Sequence, residues 1–216
     1  MMTHEIHTRF EIALQHLPLV AILRGLTPAE AEPVAKTLYQ AGFRLIEVPL
    51  NSPDPFTSIG RIRQCLPEDA LVGAGTVLDT ADVTRLKDIS ADLVVMPHAD
   101  TDVISAAKAH GLISLPGIVT PTEAFAALKA GANALKLFPA ELVSPAIIKA
   151  MRAVLPKATR LFPVGGITPT NMSPYLAAGV SGFGLGSALY SPGVSLAQLS
   201  RQAECFVAAW KTQCAA

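Results

Sequence analysis

Two ionisable residues stand inside apolar runs where a charge is costly. Lys136 lies between Leu135 and Leu137, and Glu47 between Ile46 and Val48. If both runs are strands, side chains alternate between faces. Ile46, Val48 and Leu50 then share one face with Glu47 on the other, and Lys136 shares its face with Ala134 and Phe138, opposite Leu135 and Leu137. Burial disfavours an ammonium and lowers its pKa. A neutral lysine is a nucleophile for carbonyl groups and forms Schiff bases. A carboxyl group beside it can move protons to and from the imine and the adjacent carbon. Together the two are the minimum set for aldol chemistry through an enamine. The alternative on periodicity alone is a buried Lys136–Glu47 ion pair that only holds the fold together.

Further polar residues sit where strands should end. Arg24 closes the first apolar run and offers a fixed cation, or is simply a surface arginine at a strand end. Thr76 follows Gly73-Ala74-Gly75 and either donates a hydrogen bond to a substrate carboxylate or serves as a turn or cap residue. Late in the chain come two glycine-rich segments, Val164-Gly165-Gly166-Ile167-Thr168-Pro169 and Gly184-Leu185-Gly186-Ser187-Ala188. Glycine admits a phosphate close to the backbone, and free N–H groups before a helix attract anions. The expected ligand is a small phosphate ester held by Gly165, Gly166, Gly186 and Ser187. No metal site is expected. The five histidines (His4, His7, His16, His98, His110) show no ligand spacing with acidic residues. His4, His7, His16 and His110 read as solvated, while His98, after the fourth strand, either lines the mouth of a site or is solvated too.

The elements that must position these groups alternate regularly. Strand candidates are 19–24, 44–50, 71–75, 93–97, 112–116, 134–138, 161–164 and 182–186, about one βα unit apart. Helix candidates are 28–41, 53–65, 79–89, 101–110, 121–130, 145–155, 169–178 and 196–209. Several carry proline in the first turn, and several end at a glycine: Gly42, Gly111, Gly131 and Gly179. Eight strands each followed by a helix is the pattern of a (β/α)8 TIM barrel. An open doubly wound sheet shares the alternation, but Arg24-Gly25-Leu26-Thr27-Pro28 after the first strand has no dinucleotide-binding glycine pattern. Residues 2–15 read as an extra helix within an N-terminal extension, 1–17. No linker or composition shift interrupts 1–216, so one barrel domain is expected. In a barrel the site lies at the C-terminal ends of the strands, often with phosphate at the loops after strands seven and eight.

Composition agrees with an enzyme that buries its core. The chain has 216 residues, 50% hydrophobic and 16% charged, with 17 basic and 17 acidic residues. A net charge of zero argues against a nucleic-acid partner. No apolar run reaches the length of a membrane span, and the N-terminus lacks a secretory pattern. Cys65, Cys205 and Cys214 are far apart and odd in number, which fits reduced thiols in the cytoplasm.

Six ordered motifs then resemble one family. They are Ala21-Ile22-Leu23-Arg24-Gly25, Ile46-Glu47-Val48-Pro49-Leu50-Asn51-Ser52-Pro53, Gly73-Ala74-Gly75-Thr76-Val77-Leu78, Leu115-Pro116-Gly117, Leu135-Lys136-Leu137-Phe138-Pro139-Ala140 and Val164-Gly165-Gly166-Ile167-Thr168-Pro169. The chain resembles the class I aldolases for 2-keto-3-deoxy-6-phospho sugar acids from about residue 19 to 209. The resemblance implies a (β/α)8 barrel, usually a homotrimer, that cleaves its substrate reversibly to pyruvate and D-glyceraldehyde 3-phosphate with no cofactor or metal. It implies that Lys136 is the Schiff-base lysine and Glu47 the general acid/base. Arg24, Thr76, Pro97, Phe138, Asn51 and Val164 are the implied substrate-binding positions, and the two glycine loops the phosphate site. Members acting on the gluconate epimer typically carry an arginine in the 50–52 stretch and a threonine before the glycine pair. This chain has Asn51 and Val164, which resembles the branch acting on 2-dehydro-3-deoxy-6-phosphogalactonate. The alternatives are the same chemistry on the gluconate epimer or on 4-hydroxy-2-oxoglutarate, a phosphosugar epimerase or isomerase using the same pair, or a phosphate-ligand binding protein without catalysis.

Overall fold

Strands that are apolar on both faces must be covered on both, and here one face meets a ring of helices and the other meets the strands opposite. The computed structural model describes residues 2–214. Its elements run α1 (Met2–His16), β1 (Leu19–Ile22), α2 (Ala31–Gln40), β2 (Leu45–Pro49), α3 (Pro55–Cys65), β3 (Leu71–Gly75) and α4 (Thr80–Asp88). Then come β4 (Leu93–Val95), α5 (Thr101–Ala109), β5 (Ile113–Leu115), β6 (Gly117–Ile118), α6 (Pro121–Ala130) and β7 (Leu135–Leu137). A 3-10 turn (Ala140–Leu142) precedes α7 (Pro145–Val154), followed by β8 (Leu161–Pro163), α8 (Met172–Ala177), β9 (Phe183–Leu185) and α9 (Leu196–Cys214).

All strand pairs are parallel. One sheet has the order β5-β4-β3-β2-β1-β9 and the other β6-β7-β8. Two seams join them into a barrel. Val164 bridges Gly184 between β8 and β9. At the other seam β5 and β6 are one expected strand broken at Pro116, which has no N–H for the ladder. Leu115 pairs with β4, while Pro116 accepts a hydrogen bond from Lys136 N at 2.9 Å and Gly117 pairs with β7.

Several strands are shorter than expected, among them β1 (Leu19–Ile22), β4 (Leu93–Val95) and β9 (Phe183–Leu185). Helix α2 begins at Ala31 rather than residue 28, because Thr27 closes a separate turn with Glu30, whose carboxylate accepts from Thr27 Oγ1 at 2.5 Å. Helix α8 begins at Met172 rather than residue 169 for a similar reason, as Asn171 is engaged with the preceding loop. The four glycines expected past helix ends all have positive φ, and α9 continues well beyond residue 209.

Two apolar layers result. The outer one lies between strands and helices. The inner one stacks Val20, Leu45, Leu71, Leu93, Ile113, Ala134 and Phe162, near the strand starts, on Ile6, Phe10, Ala13 and Leu14 of α1. Those four positions form one helical stripe, so α1 plugs the N-terminal end of the barrel. Asp92 anchors the plug: buried just before β4, it accepts from Arg9 Nη1 at 2.9 Å, Arg63 Nη1 at 3.0 Å and Val72 N at 3.0 Å. Phe10→Ala should therefore cost about 3–5 kcal/mol of stability in urea unfolding, the range for a buried aromatic. Ile12→Ala, at a position 55% exposed, should change little.

Candidate functional site

With α1 filling one end, the next inward layer of side chains faces the C-terminal end of the barrel, and this layer holds the two buried ionisable groups. Glu47 is 1% exposed and Lys136 6%. Both line a small internal cavity of about 10 Å3, with Ile22, Val95, Leu115 and Val164 among its walls, room for about one water. A neighbouring glycine makes space for Glu47. Gly75 has no side chain where the Glu47 carboxylate lies, and any Cβ there would overlap Oε2. Gly117 is the register partner of Lys136 on one side. Phe162 pairs with it on the other, and the Lys136 ammonium sits 4.6 Å from the centre of the Phe138 ring.

Burial decides the charge states. It raises the Glu47 carboxyl to about 7, against the opposing pull of Lys136 and Arg24. It lowers the Lys136 ammonium, although Glu47 draws it the other way, and Arg24 adds to the lowering. Both groups are thus driven toward their neutral forms, and Glu47 Oε2 has no hydrogen-bond partner. This is how a group that exchanges protons with a ligand is poised.

Above the pair opens a cavity of about 540 Å3. Arg24, Lys136, Phe138, Val164, Gly165, Gly166, Gly186 and Ser187 line it, all expected site residues. Asn51 joins through Arg24, whose Nη1 donates to Asn51 Oδ1 at 2.8 Å. Gly25 N donates to buried Ser52 Oγ at 2.9 Å, which fixes the loop behind Arg24. Thr76 and Pro97 are not among the residues lining this cavity. Thr76 has φ +56, directly after the glycine that faces Glu47, and Pro97 sits at the end of β4 with its carbonyl against Gly117. His98 is exposed, with Nε2 3.9 Å from Asp100, outside the cavity. His7 and His16 are exposed and His110 is half-buried; the His4 side chain lies outside the described residues, as does that of Cys214.

Gly165 and Gly166 have φ +117 and +61, conformations that side-chain-bearing residues rarely adopt. Among the described residues, no protein acceptor takes the N–H of Gly165, Gly166, Gly186 or Ser187, which suits an anion. Asn171 braces this loop: it accepts from Thr168 N at 2.9 Å and donates to Gly166 O at 2.8 Å. The sequence reading missed Asn171, although Thr168-Pro169-Thr170-Asn171 holds a turn signal. It also missed Glu141 and Tyr190, both cavity-lining; nothing local marks either. Among the described residues there is no cluster of His, Cys, Asp and Glu that could hold a metal ion, and no helix is long and apolar enough to cross a membrane.

The Glu47 shift carries a stability consequence. Its folded pKa lies above its ordinary 4.5, so protonated Glu47 is favoured by folding, and that contribution is lost as pH rises from about 4.5 to about 7. Glu47→Gln removes this ionisation. Its stability relative to the wild type should grow across that window, by about 3 kcal/mol at most. Urea unfolding at pH 4.5 to 8 reads this; a constant difference would place Glu47 in a solvated setting. Gly75→Ala should displace Glu47 and abolish the pH-dependent part of the difference.

Comparisons with known proteins place the chain in a family. Residues 10–201 match the family model described as "Aldolase: KDPG and KHG aldolase". The chain is 49% identical over 193 residues to a probable 2-dehydro-3-deoxy-6-phosphogalactonate aldolase of Rhizobium meliloti (strain 1021), covering 89% of this chain and 91% of that protein. It is 46% identical over 195 residues to the 2-dehydro-3-deoxy-6-phosphogalactonate aldolase of Escherichia coli (strain K12), covering 90% and 95%. A solved structure described as "Native KDPGal structure" superposes with a TM-score of 0.91 at 44% identity, over 93% of this chain and 97% of that one. The family model and these relatives, matched over nearly the whole chain, show that it belongs to the KDPG and KHG aldolase family and is a lyase.

Proposed function

We propose that the protein cleaves 2-dehydro-3-deoxy-6-phosphogalactonate reversibly to pyruvate and D-glyceraldehyde 3-phosphate through a Schiff base on Lys136. The observation that carries this reading is the pairing of a desolvated lysine with a buried, unpartnered carboxyl, at the base of a cavity whose far wall is a glycine cradle. Neutral Lys136 attacks the C2 ketone. Glu47, directly or through a water, supplies the proton with which the carbinolamine loses water, giving a protonated imine. The Glu47 carboxylate then takes the C4 hydroxyl proton. The C3–C4 bonding pair flows into the imine, leaving an enamine as the aldehyde departs. Glu47 returns its proton to C3, and hydrolysis frees pyruvate and Lys136. Placing the acid/base in the same dry layer as the lysine keeps its pKa near the working pH.

The substrate's carboxylate is assigned to Arg24, and the phosphate to Gly165, Gly166, Gly186 and Ser187. Phe138 and Val164 provide apolar walls. The choice of the galactonate epimer rests on Asn51, held by Arg24, on apolar Val164, and on the names of the two relatives. The epimers differ at C4, where one hydrogen-bonding group gained or lost discriminates between them. Residues 1–216 act as one barrel domain in this reading. The exposed Leu142, Ile147 and Val154, at 66%, 42% and 57%, lie along the 3-10 turn and α7 and suit burial between copies in a homotrimer, in the cytoplasm, where Cys65 and Cys205 stay free.

Borohydride reduction in the presence of pyruvate should trap an adduct on Lys136, located by peptide mass mapping, and Lys136→Met should lose both adduct and turnover. Glu47→Gln should retain part of the trapping while turnover falls about 10²–10⁴-fold. A folded wild type that traps nothing near pyruvate saturation would transfer the site to a proton-transferring isomerase or a binding protein.

A further inference from the structure

The anion cradle contains an anion of the protein's own. Glu141 lies on the 3-10 turn after β7, and Ala140 N donates to Val164 O at 2.9 Å, which draws this turn against the glycine loop. The Glu141 carboxylate rests on both glycines. A Cβ on Gly165 would run into Oε2, and one on Gly166 would stand 3.2 Å from Oε1. The cations lining the large cavity are Arg24 and Lys136, and Glu141 is the acidic residue among its walls. Lys136 lies at the cavity's base, Arg24 is tied to Asn51, and among the described residues these two are the basic side chains that line the cavity. A phosphate group bound there is held by backbone N–H groups and meets a carboxylate at close range.

We propose that Glu141 is a specificity-determining residue that weakens the hold on the phosphate end of the substrate and so sets the preference for phosphorylated over unphosphorylated sugar acids. The inference rests on the assignment of the glycine loops to phosphate. Two like charges about 5 Å apart near a protein surface repel enough to change affinity several-fold to tenfold or more, and salt screens the effect. The same repulsion favours departure of the phosphorylated aldehyde after cleavage.

The test compares wild type, Glu141→Gln and Glu141→Ala by the ratio of kcat/KM for the 6-phosphorylated substrate to that for its unphosphorylated counterpart, at low and at 0.5 M salt. The expected result is a ratio about three- to tenfold higher in both variants, carried by a lower KM for the phosphorylated substrate, with the gain shrinking at high salt. Inorganic phosphate should also inhibit both variants at correspondingly lower concentration. An unchanged or lower ratio in the variants, with a wild type that clearly prefers the phosphorylated substrate, overturns the role of Glu141 and leaves the phosphate site standing. A wild type without that preference, and not inhibited by phosphate, overturns the phosphate assignment and this proposal together.

Discussion

Two ionisable side chains share the dry interior of a barrel, and much of the architecture follows from accommodating them. An ionised group in such a setting costs several kcal/mol unless it is paired or neutralised. Here Glu47 rises toward neutrality and Lys136 falls toward it. An amine pushed down toward its neutral form and a carboxyl pushed up to about 7 make an unfavourable core, and the chemistry proposed for the site uses both shifts. Space for the carboxyl comes from what is missing beside it, at Gly75 against Glu47.

The interior can hold these groups because the other end of the barrel is sealed. Without α1, the inward layer of Val20, Leu45, Leu71, Leu93 and Ile113 would face water. With it, the apolar layer is complete below, and the layer holding Lys136 above borders the large cavity. Asp92, shared by Arg9, Arg63 and the start of β3, fixes the plug to the sheet. Stability is concentrated at the N-terminal end of the strands and chemistry at the C-terminal end, the division that barrels use generally.

The two ends of the large cavity are built on different principles. At one end Arg24 offers a charged fork, oriented by Asn51 and backed by the Gly25–Ser52 hydrogen bond. At the other, left-handed Gly165 and Gly166 present backbone N–H groups on a loop braced by Asn171, the arrangement proposed to take the phosphate. A side-chain cation grips through charge, whereas a backbone nest grips through shape and dipoles, so a carboxylate such as Glu141 can tune the second end independently of the first.

Much of this was legible in the chain itself. The alternation of apolar runs with proline-started, glycine-ended helices gave the barrel, because each device acts within a few residues. The placement of Lys136 and Glu47 on inward faces followed from the period of two along a strand. The loops of Gly165–Gly166 and Gly186–Ser187 were visible because glycine is locally informative. The structure alone decided where each strand ends, where the fifth strand would change partners, and that α1 would plug the barrel. It alone put Thr76 and Pro97 outside the lining of the large cavity and brought Glu141 onto a loop more than twenty residues away. The reason is physical: periodicity and capping are written in neighbouring residues, whereas the dielectric around a carboxyl, or the side chain that ends up against a glycine, exists only once distant segments have packed.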